Sequence, residues 1–335
     1  MAKITLKKIS LAFKQDKYVL DDLNMEVKEG RTLCILGPSG CGKTTLLKVV
    51  AGLLEPEKGT ILFNGKRFNE LSPKDRNIGM VFQNYALYPQ MRAEKNITLW
   101  ALIRKIPDAE IDEKVKATSE IMGIGFDKLL GRFPRTLSGG EKQRVALARC
   151  ICRSPSVFLM DEPLSNLDAD LRQKTKMQIK KLINRLNVTT IYVTHDQKEA
   201  ITLGDDIAVM DKGKIAQLGS FQELYHNPVS TMVASFFGRI NLFPKGNLLI
   251  GVRAEDMLVS TEEKPDLLPA KIDSIEPLFP KKGILISCKS GSNIYFAKIE
   301  GEKQYNQGEN IYIGFLKNKV HYFEAKTGRK LDITP

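Results

Sequence analysis

Long apolar runs are missing from this 335-residue chain. No stretch of about 18 residues is free of charge, so no helical segment is expected to span a bilayer. The opening MAKITLKKIS lacks the apolar core of a signal peptide, and KITLKKI reads as a first strand. Cysteine is scarce: the five, at 34, 41, 150, 152 and 288, form no two pairs at metal-ligand spacing, and an odd number suits a reducing cytosol. Cys150 and Cys152 are separated by one residue, not the two of a redox pair, so they read as helix-packing residues. There is no internal repeat, low-complexity tract or heptad array. An acidic excess is also absent. The 51 Lys and Arg outweigh 39 Asp and Glu, for a net charge of +12. That charge is spread along the chain instead of gathered in one arm, as on a basic, solvated surface, and does not by itself mark nucleic acid or a membrane face.

What is present is an ordinary globular composition, 42% hydrophobic and 27% charged, on a chain long enough for one large and one small domain. The first 236 residues alternate strand-length apolar runs with longer helical segments, the rhythm of an α/β domain. RTLCILG, SVFLMDE and TTIYVTHD read as buried strands ending in glycine or polar residues, and TTLLKVVAGLL as a helix. In such folds ligands gather outside the carboxyl ends of the strands. Between about 90 and 155 the texture is helical, with AEIDEKVKATSEIM amphipathic, which points to an inserted helical subdomain. From 237 to 335 short alternating runs separated by turns (NLLIGVR, GILISCKSG, SNIYFAKI, NIYIGFL) indicate a small all-β barrel or sandwich. The boundary is expected at 237–246, with Pro244 and Gly246 in a linker.

Residues Gly37-Pro38-Ser39-Gly40-Cys41-Gly42-Lys43-Thr44 fit GxxxxGK[ST] between a strand and a helix. Glycines let backbone N–H groups wrap a phosphate, Lys43 brings a point charge, and Thr44 a hydroxyl for Mg²⁺. Asp161 and Glu162 end the apolar run VFLM. Asp161 is placed to hold Mg²⁺ through water and Glu162 to polarise an attacking water, although two acids at a strand end also serve as helix caps. His195 ends the strand IYVT, where it reaches a γ-phosphate if that strand belongs to the same sheet; a lone histidine is otherwise structural. Gln83 follows the run MVF, as a surface residue at a strand end also would. A second glycine-rich turn, TLSGGEKQRVALAR at 136–149, opens a helix with Ser138 as its N-cap, and a helix start suits a phosphate.

With LSGGE between Gln83 and Asp161-Glu162, and SNLD (165–168) after them, residues 1–236 resemble the ATP-binding cassette (ABC) family. QNYALYP, LSGGEKQRVALAR, DEPLSNLDADLR and THDQKEA are similar to ATPase subunits of importers for sugars, glycerol phosphate, polyamines, iron or sulfate. GVRAED (251–256) and KVHYFEAKTGRKL (319–331) are similar to the OB-type domain that follows in that group. The resemblance implies an α/β P-loop NTPase with a helical subdomain, followed by an OB-like transport-associated domain, and ATP with Mg²⁺ as cofactors. Phe13, with Tyr18 as fallback, would stack on adenine, and Gly37 to Thr45 would hold the phosphates. Thr44, Gln83 and Asp161 would hold Mg²⁺, Glu162 would be the general base, and His195 would keep γ-phosphate and water in line. Ser138, Gly139, Gly140 and Asp168 would act on ATP held by a second subunit, either the same chain or a paralogue. Tyr85 to Pro89 would lie near a membrane permease, served in turn by an extracytoplasmic solute-binding protein. The protein would sit in the cytoplasm, peripheral on the inner face of the plasma membrane, with no nucleic acid partner.

This sequence departs from the group at several places. Glu141 replaces the commoner Gln after the double glycine, Glu94-Lys95 stand before Asn96, the C-terminal domain is short, and LFPKKG (278–283) replaces a Leu-Gly-rich turn. The rival reading, a soluble cassette protein acting on nucleic acid, is met by the absence of a long coiled-coil insertion, a zinc hook and a second cassette. A non-hydrolysing regulator is disfavoured by the presence of both Glu162 and His195. The transported solute is expected to be a sugar or related organic compound, on group resemblance alone.

Overall fold

The computed structural model describes residues 2–14, 17–278, 283–301 and 304–333, so residues 279–282 of the LFPKKG turn lie outside the described residues. The chain divides into two compact units, Met1–Phe221 and Gln222–Pro335.

In the first unit β1 (Ile4–Lys14) and β2 (Lys17–Val27) form an antiparallel hairpin. Along LNMEV the period is two: Leu23, Met25 and Val27 are buried while Asn24 and Glu26 are exposed, so one face meets the core. By contrast β3 (Thr32–Leu36) is buried at every residue, as expected of a strand covered on both faces. It leads through the glycine-rich loop into α1 (Lys43–Ala51). Next come β4 (Lys58–Phe63) and β5 (Lys66–Arg67), which complete the first sheet in the order β2-β1-β4-β5.

After β6 (Ile78–Val81) the chain forms α2 (Ala93–Ile103), α3 (Asp108–Met122), α4 (Asp127–Leu130) and α5 (Gly139–Ile151). A core of Ala93, Ile97, Phe126, Leu129, Val145 and Ala148 joins α2, α4 and α5, and Val115 and Met122 of α3 pack against it. Fully burying a Leu, Ile or Phe is worth about 1.5–3 kcal/mol, so this cluster holds the helices together as a group.

The unit closes with β7 (Val157–Asp161), α6 (Ala169–Leu186), β8 (Thr189–Thr194), α7 (Gln197–Leu203), β9 (Asp206–Asp211) and β10 (Lys214–Gly219). A six-stranded sheet runs β10-β9-β3-β8-β7-β6, parallel throughout except for β10 at its edge. Its register sets the site. Leu36 pairs with Thr194 and Asp161 with Val193, so the three neighbouring strands β3, β8 and β7 end on one edge of the sheet.

The second unit takes in α8 (Phe221–His226) from Gln222 and α9 (Thr231–Phe236), then β11 (Ile240–Lys245), β12 (Leu248–Arg253), β13 (Met257–Ser260), β14 (Leu268–Pro277), β15 (Gly283–Ser290), β16 (Asn293–Glu300), β17 (Asn310–Phe315), β18 (Val320–Glu324) and β19 (Lys330–Leu331). They form two antiparallel sheets, β11-β12-β18-β19 and β13-β17-β14-β15-β16. Their common core includes Val252, Ile272, Ile286 and Ile313, with Phe243 stacked on Tyr295 at 4.4 Å.

The linker expected at 237–246 is corrected. Pro244 lies in β11, an edge strand where its missing N–H costs no ladder bond, and Gly246-Asn247 is the tight turn into β12. The division itself falls upstream of 236/237. The reason is Arg253, whose guanidinium donates to the carbonyls of Tyr225 (3.0 Å), Ala234 (2.6 Å) and Phe237 (3.3 Å), and so ties residues 225–237 to the β-structure.

Burial, together with the nearby Arg253 charge, pushes the His321 imidazole down from its ordinary 6.5 to about 4. Between those values the unfolded chain binds a proton that the folded one does not, so stability is lost as pH falls from about 6.5 towards 4. His321→Gln is expected to flatten that acid limb, read as the change in melting temperature between pH 7 and pH 5.

Candidate functional site

At the carboxyl edge of the parallel sheet, α1 begins at Gly42, whose φ of 106° is left-handed and whose missing Cβ would stand 2.7 Å from the Val19 carbonyl oxygen. Only glycine fits there. No side chain caps α1 and no acid lies in its first turn, so its opening N–H groups and the positive end of its dipole face outward. Lys43, buried among these residues, donates from Nζ to the carbonyls of Gly37 and Pro38, each at 2.9 Å. Such a frame accepts a polyphosphate.

Beside it, Thr44 Oγ1 donates to Asp161 Oδ1 at 2.9 Å, which joins the glycine-rich loop to the end of β7. Burial raises the Asp161 carboxyl above its usual range, opposed by the Thr44 hydrogen bond. A cation there would favour the charged form. The next residue, Glu162, takes a left-handed φ of 43°, with its N–H bonded to the Val193 carbonyl at 3.0 Å. Non-glycine residues in that region cost about 1–3 kcal/mol and concentrate at functional sites. Its carboxylate accepts from His195 Nδ1 at 3.0 Å.

His195 is held from both sides. Thr194 and Tyr192 both donate to the buried Glu199, at 2.8 and 2.9 Å, while Asp196 caps α7. Burial raises the Glu199 carboxyl, countered by those two hydroxyls.

The second glycine-rich turn is built differently. Ser138 caps α5 in a reciprocal box with Glu141: Ser138 Oγ accepts from the Glu141 N–H at 3.3 Å, and Glu141 Oε2 accepts from the Ser138 N–H at 2.7 Å. Arg132 pairs with the other Glu141 oxygen at 2.8 Å. The Ser138 N–H, with Arg132 beside it, holds the Glu141 carboxyl below its ordinary value. The Ser138 hydroxyl also helps to hold that carboxyl down, so it is engaged within the cap. A Cβ on Gly139 would meet Leu167 Cδ2 at 2.9 Å, so the SNLD loop packs directly on this helix start. Among the described residues no hydrogen bond joins Ser138 to residues 37–45.

Gln83, exposed after β6, is tied through its carbonyl, which accepts from Asn166 Nδ2 at 2.8 Å. Tyr85 and Ala86 follow with left-handed φ of 63° and 45°, and Arg149 of α5 clamps both their carbonyls, at 2.9 and 2.6 Å. Phe13 is 60% exposed on β1 with Tyr18 nearby on β2, an open aromatic face. Asp168 caps α6 through the Leu171 N–H at 2.9 Å. Ser39 and Gly40 are exposed, Cys41 is buried, and Thr45 is half-buried on α1.

The structure therefore brings Lys43, Thr44, Asp161, Glu162 and His195 to one edge and leaves Ser138–Gly140 on a separate helix start. Arg132, Asn166 and Arg149 were not singled out by the sequence reading. Two of them stand inside its motifs, but a bond from Arg149 to carbonyls 63 and 64 residues away leaves no trace in a sequence.

A parallel sheet with a phosphate loop, a Thr–Asp oxygen pair of the kind that suits Mg²⁺ and an acid–imidazole pair at its carboxyl edge defines a P-loop nucleoside-triphosphatase. Comparison with known proteins narrows the class. Residues 20–165 match the family model for ABC transporters. The chain is 39% identical to the trehalose/maltose import ATP-binding protein MalK of Thermococcus litoralis, over 92% of this chain and 94% of that protein. It is also 39% identical to the sn-glycerol-3-phosphate import ATP-binding protein UgpC of Rhodopseudomonas palustris, over 99% and 100%. A dimeric post-hydrolysis structure of the ATP-binding cassette MJ0796, bound to ADP and Pi, matches at a TM-score of 0.57 and 28% identity, over 65% of this chain and 98% of that one. The chain belongs to the ABC transporter family, as one of its ATP-binding members.

Arg149→Lys loses one of the two carbonyl contacts that hold residues 85–86 in their left-handed turn. Amide exchange across 83–89 is expected to accelerate about tenfold, the equivalent of about 1.4 kcal/mol, while exchange in β3 and β7 stays unchanged.

Proposed function

We propose that this chain is the ATP-hydrolysing subunit of an import system, working as a pair and driving a membrane permease. The observation that carries the reading is the Glu162–His195 pair at 3.0 Å, on the sheet edge that also holds the phosphate loop. In it, Gly37 to Thr45 wrap the phosphates of ATP, Lys43 neutralises them, and Phe13 offers its open face to adenine. Thr44 and Asp161 are hard oxygen donors suited to Mg²⁺, with Gln83 as the third expected contact, and the ion, when bound, neutralises charge on the transferring phosphoryl group. Glu162 takes the proton of the attacking water and His195 orients water and γ-phosphate.

Ser138, Gly139 and Gly140, with Asp168, then complete the site of a second copy. A helix start unattached to the chain's own phosphate loop suits the γ-phosphate of another subunit. ATP bound across two chains favours the closed pair, and its hydrolysis releases it; that difference in affinity is the work available to the permease. No helix of the described residues is long and apolar enough to cross a membrane. Residues Tyr85–Pro89, on the strained loop clamped by Arg149, are the proposed permease contact. The cargo is a sugar or related organic solute, a choice supported by relatives such as the trehalose/maltose protein. The protein works on the cytoplasmic face.

Glu162→Gln is expected to keep ATP affinity, lower turnover at least about a hundredfold and accumulate an ATP-bound dimer in gel filtration. A strictly monomeric variant at saturating Mg-ATP would sink the shared-site reading. Arg132→Gln exposes the Glu141 charge at the phosphate-facing helix end, so ATP-dependent dimerisation should weaken several-fold. Adding Glu141→Gln should restore it, as measured by equilibrium sedimentation.

A further inference from the structure

The second unit holds an open cleft of about 660 Å³ to which the ATPase reading assigns no role. Arg253 lies in its wall and is only 2% exposed. Three of its N–H groups meet backbone carbonyls, and its cation lies over the Tyr225 ring at 4.2 Å. Its Nε is buried without a partner, and no carboxylate comes within ion-pair distance of it among the described residues. Nε is enclosed, so what Arg253 gives the cleft is a positive charge that no carboxylate pairs, and that charge favours an anion held nearby.

The same cleft is lined by Lys319, Lys330 and the imidazoles of His226 and His321. His321 feels Arg253, Lys330 and His226 together, against the opposing Asp256, and its ring is kept neutral. A neutral ring still donates one N–H. Three carboxylates, Glu255, Asp256 and Asp332, also face the cleft, and Glu255 is bonded by the Tyr225 hydroxyl. With equal numbers of formal cations and acids, a bare polyanion is poorly matched. A ligand with one anionic end and several hydroxyls satisfies both kinds of wall.

We propose that this cleft binds a small phosphorylated polyol, with its oxyanion on Lys319 and Lys330 in the field of the buried Arg253 and its hydroxyls on the carboxylates. The site belongs to the second unit alone and does not depend on the ATPase reading.

The test uses the full chain saturated with Mg-ADP, so that the phosphate loop is already filled. sn-Glycerol 3-phosphate, inorganic phosphate and glycerol are titrated at constant ionic strength by calorimetry and by NMR of the imidazoles. With three histidines in the chain, the resonances of His195, His226 and His321 are separable by single substitutions. Glycerol phosphate is expected to bind saturably, shift His321 and His226 but not His195, and bind about tenfold more tightly than phosphate, with glycerol silent. Lys330→Gln should weaken it at least about fivefold without moving the melting temperature. Arg253→Lys tests the buried cation, but its loss of carbonyl contacts threatens folding, so Lys330→Gln is the deciding variant. Linear shifts that chloride reproduces, movement confined to His195, or unchanged affinity in Lys330→Gln would overturn the site. Equal affinity for bare phosphate would overturn the polyol assignment.

Discussion

The uncapped start of α1 is the constraint on which the first unit turns. A helix leaves its first N–H groups without internal acceptors, and several helices here meet that need with a side chain: Ser138, Asp168, Asp196 and Ser230 each accept from the turn that follows them. At Gly42 nothing does. The positive field that results is reinforced by the buried Lys43 and balanced only partly by the neighbouring Asp161, whose carboxyl burial pushes upward. An anion with a divalent cation resolves both imbalances at once. That pairing of ligand chemistry with local deficit is why the rest of the edge, from Thr44 to His195, faces the same point.

Two glycine-rich helix starts in one chain therefore differ in electrostatic kind. The first has donors without acceptors. The second is internally satisfied by the Ser138–Glu141 box and the Arg132 pair. The departure from the commoner glutamine at 141 adds a negative charge at a helix start, where it is favourable to the helix dipole. It would be unfavourable to an approaching phosphate, and Arg132 offsets it. The two starts are also mechanically connected. Leu167 packs on Gly139, Asn166 holds the Gln83 carbonyl, and Arg149 holds those of Tyr85 and Ala86. Displacement of the 83–86 loop is therefore felt along α5 and at the SNLD turn.

Much of this was legible in the residues themselves. The all-buried runs TLCIL, VFLMD and TTIYVT read as interior strands, and the glycine spacing at 37–42 required a phosphate-type loop. The chain's second texture was also legible, but its border was not. FPKGN looks like a linker because proline and glycine are frequent in linkers, whereas a proline on an edge strand followed by a two-residue turn has the same composition. Only pairing partners tell them apart. The attachment of residues 225–237 to the β-unit was hidden for a related reason: it depends on Arg253, reached across up to 28 residues of chain.

By itself, the sequence determined the elements, the phosphate loop and the identity of each candidate group, because periodicity, glycine conformation and side-chain chemistry are local properties. Tertiary structure alone decided which groups meet. Strand order and register place Thr44 against Asp161 and Glu162 against His195, although 117 and 33 residues separate them. The same register leaves Ser138 without a partner on the phosphate loop of its own chain. Backbone ladder bonds settle such distances, and a backbone group looks the same in every residue of a sequence.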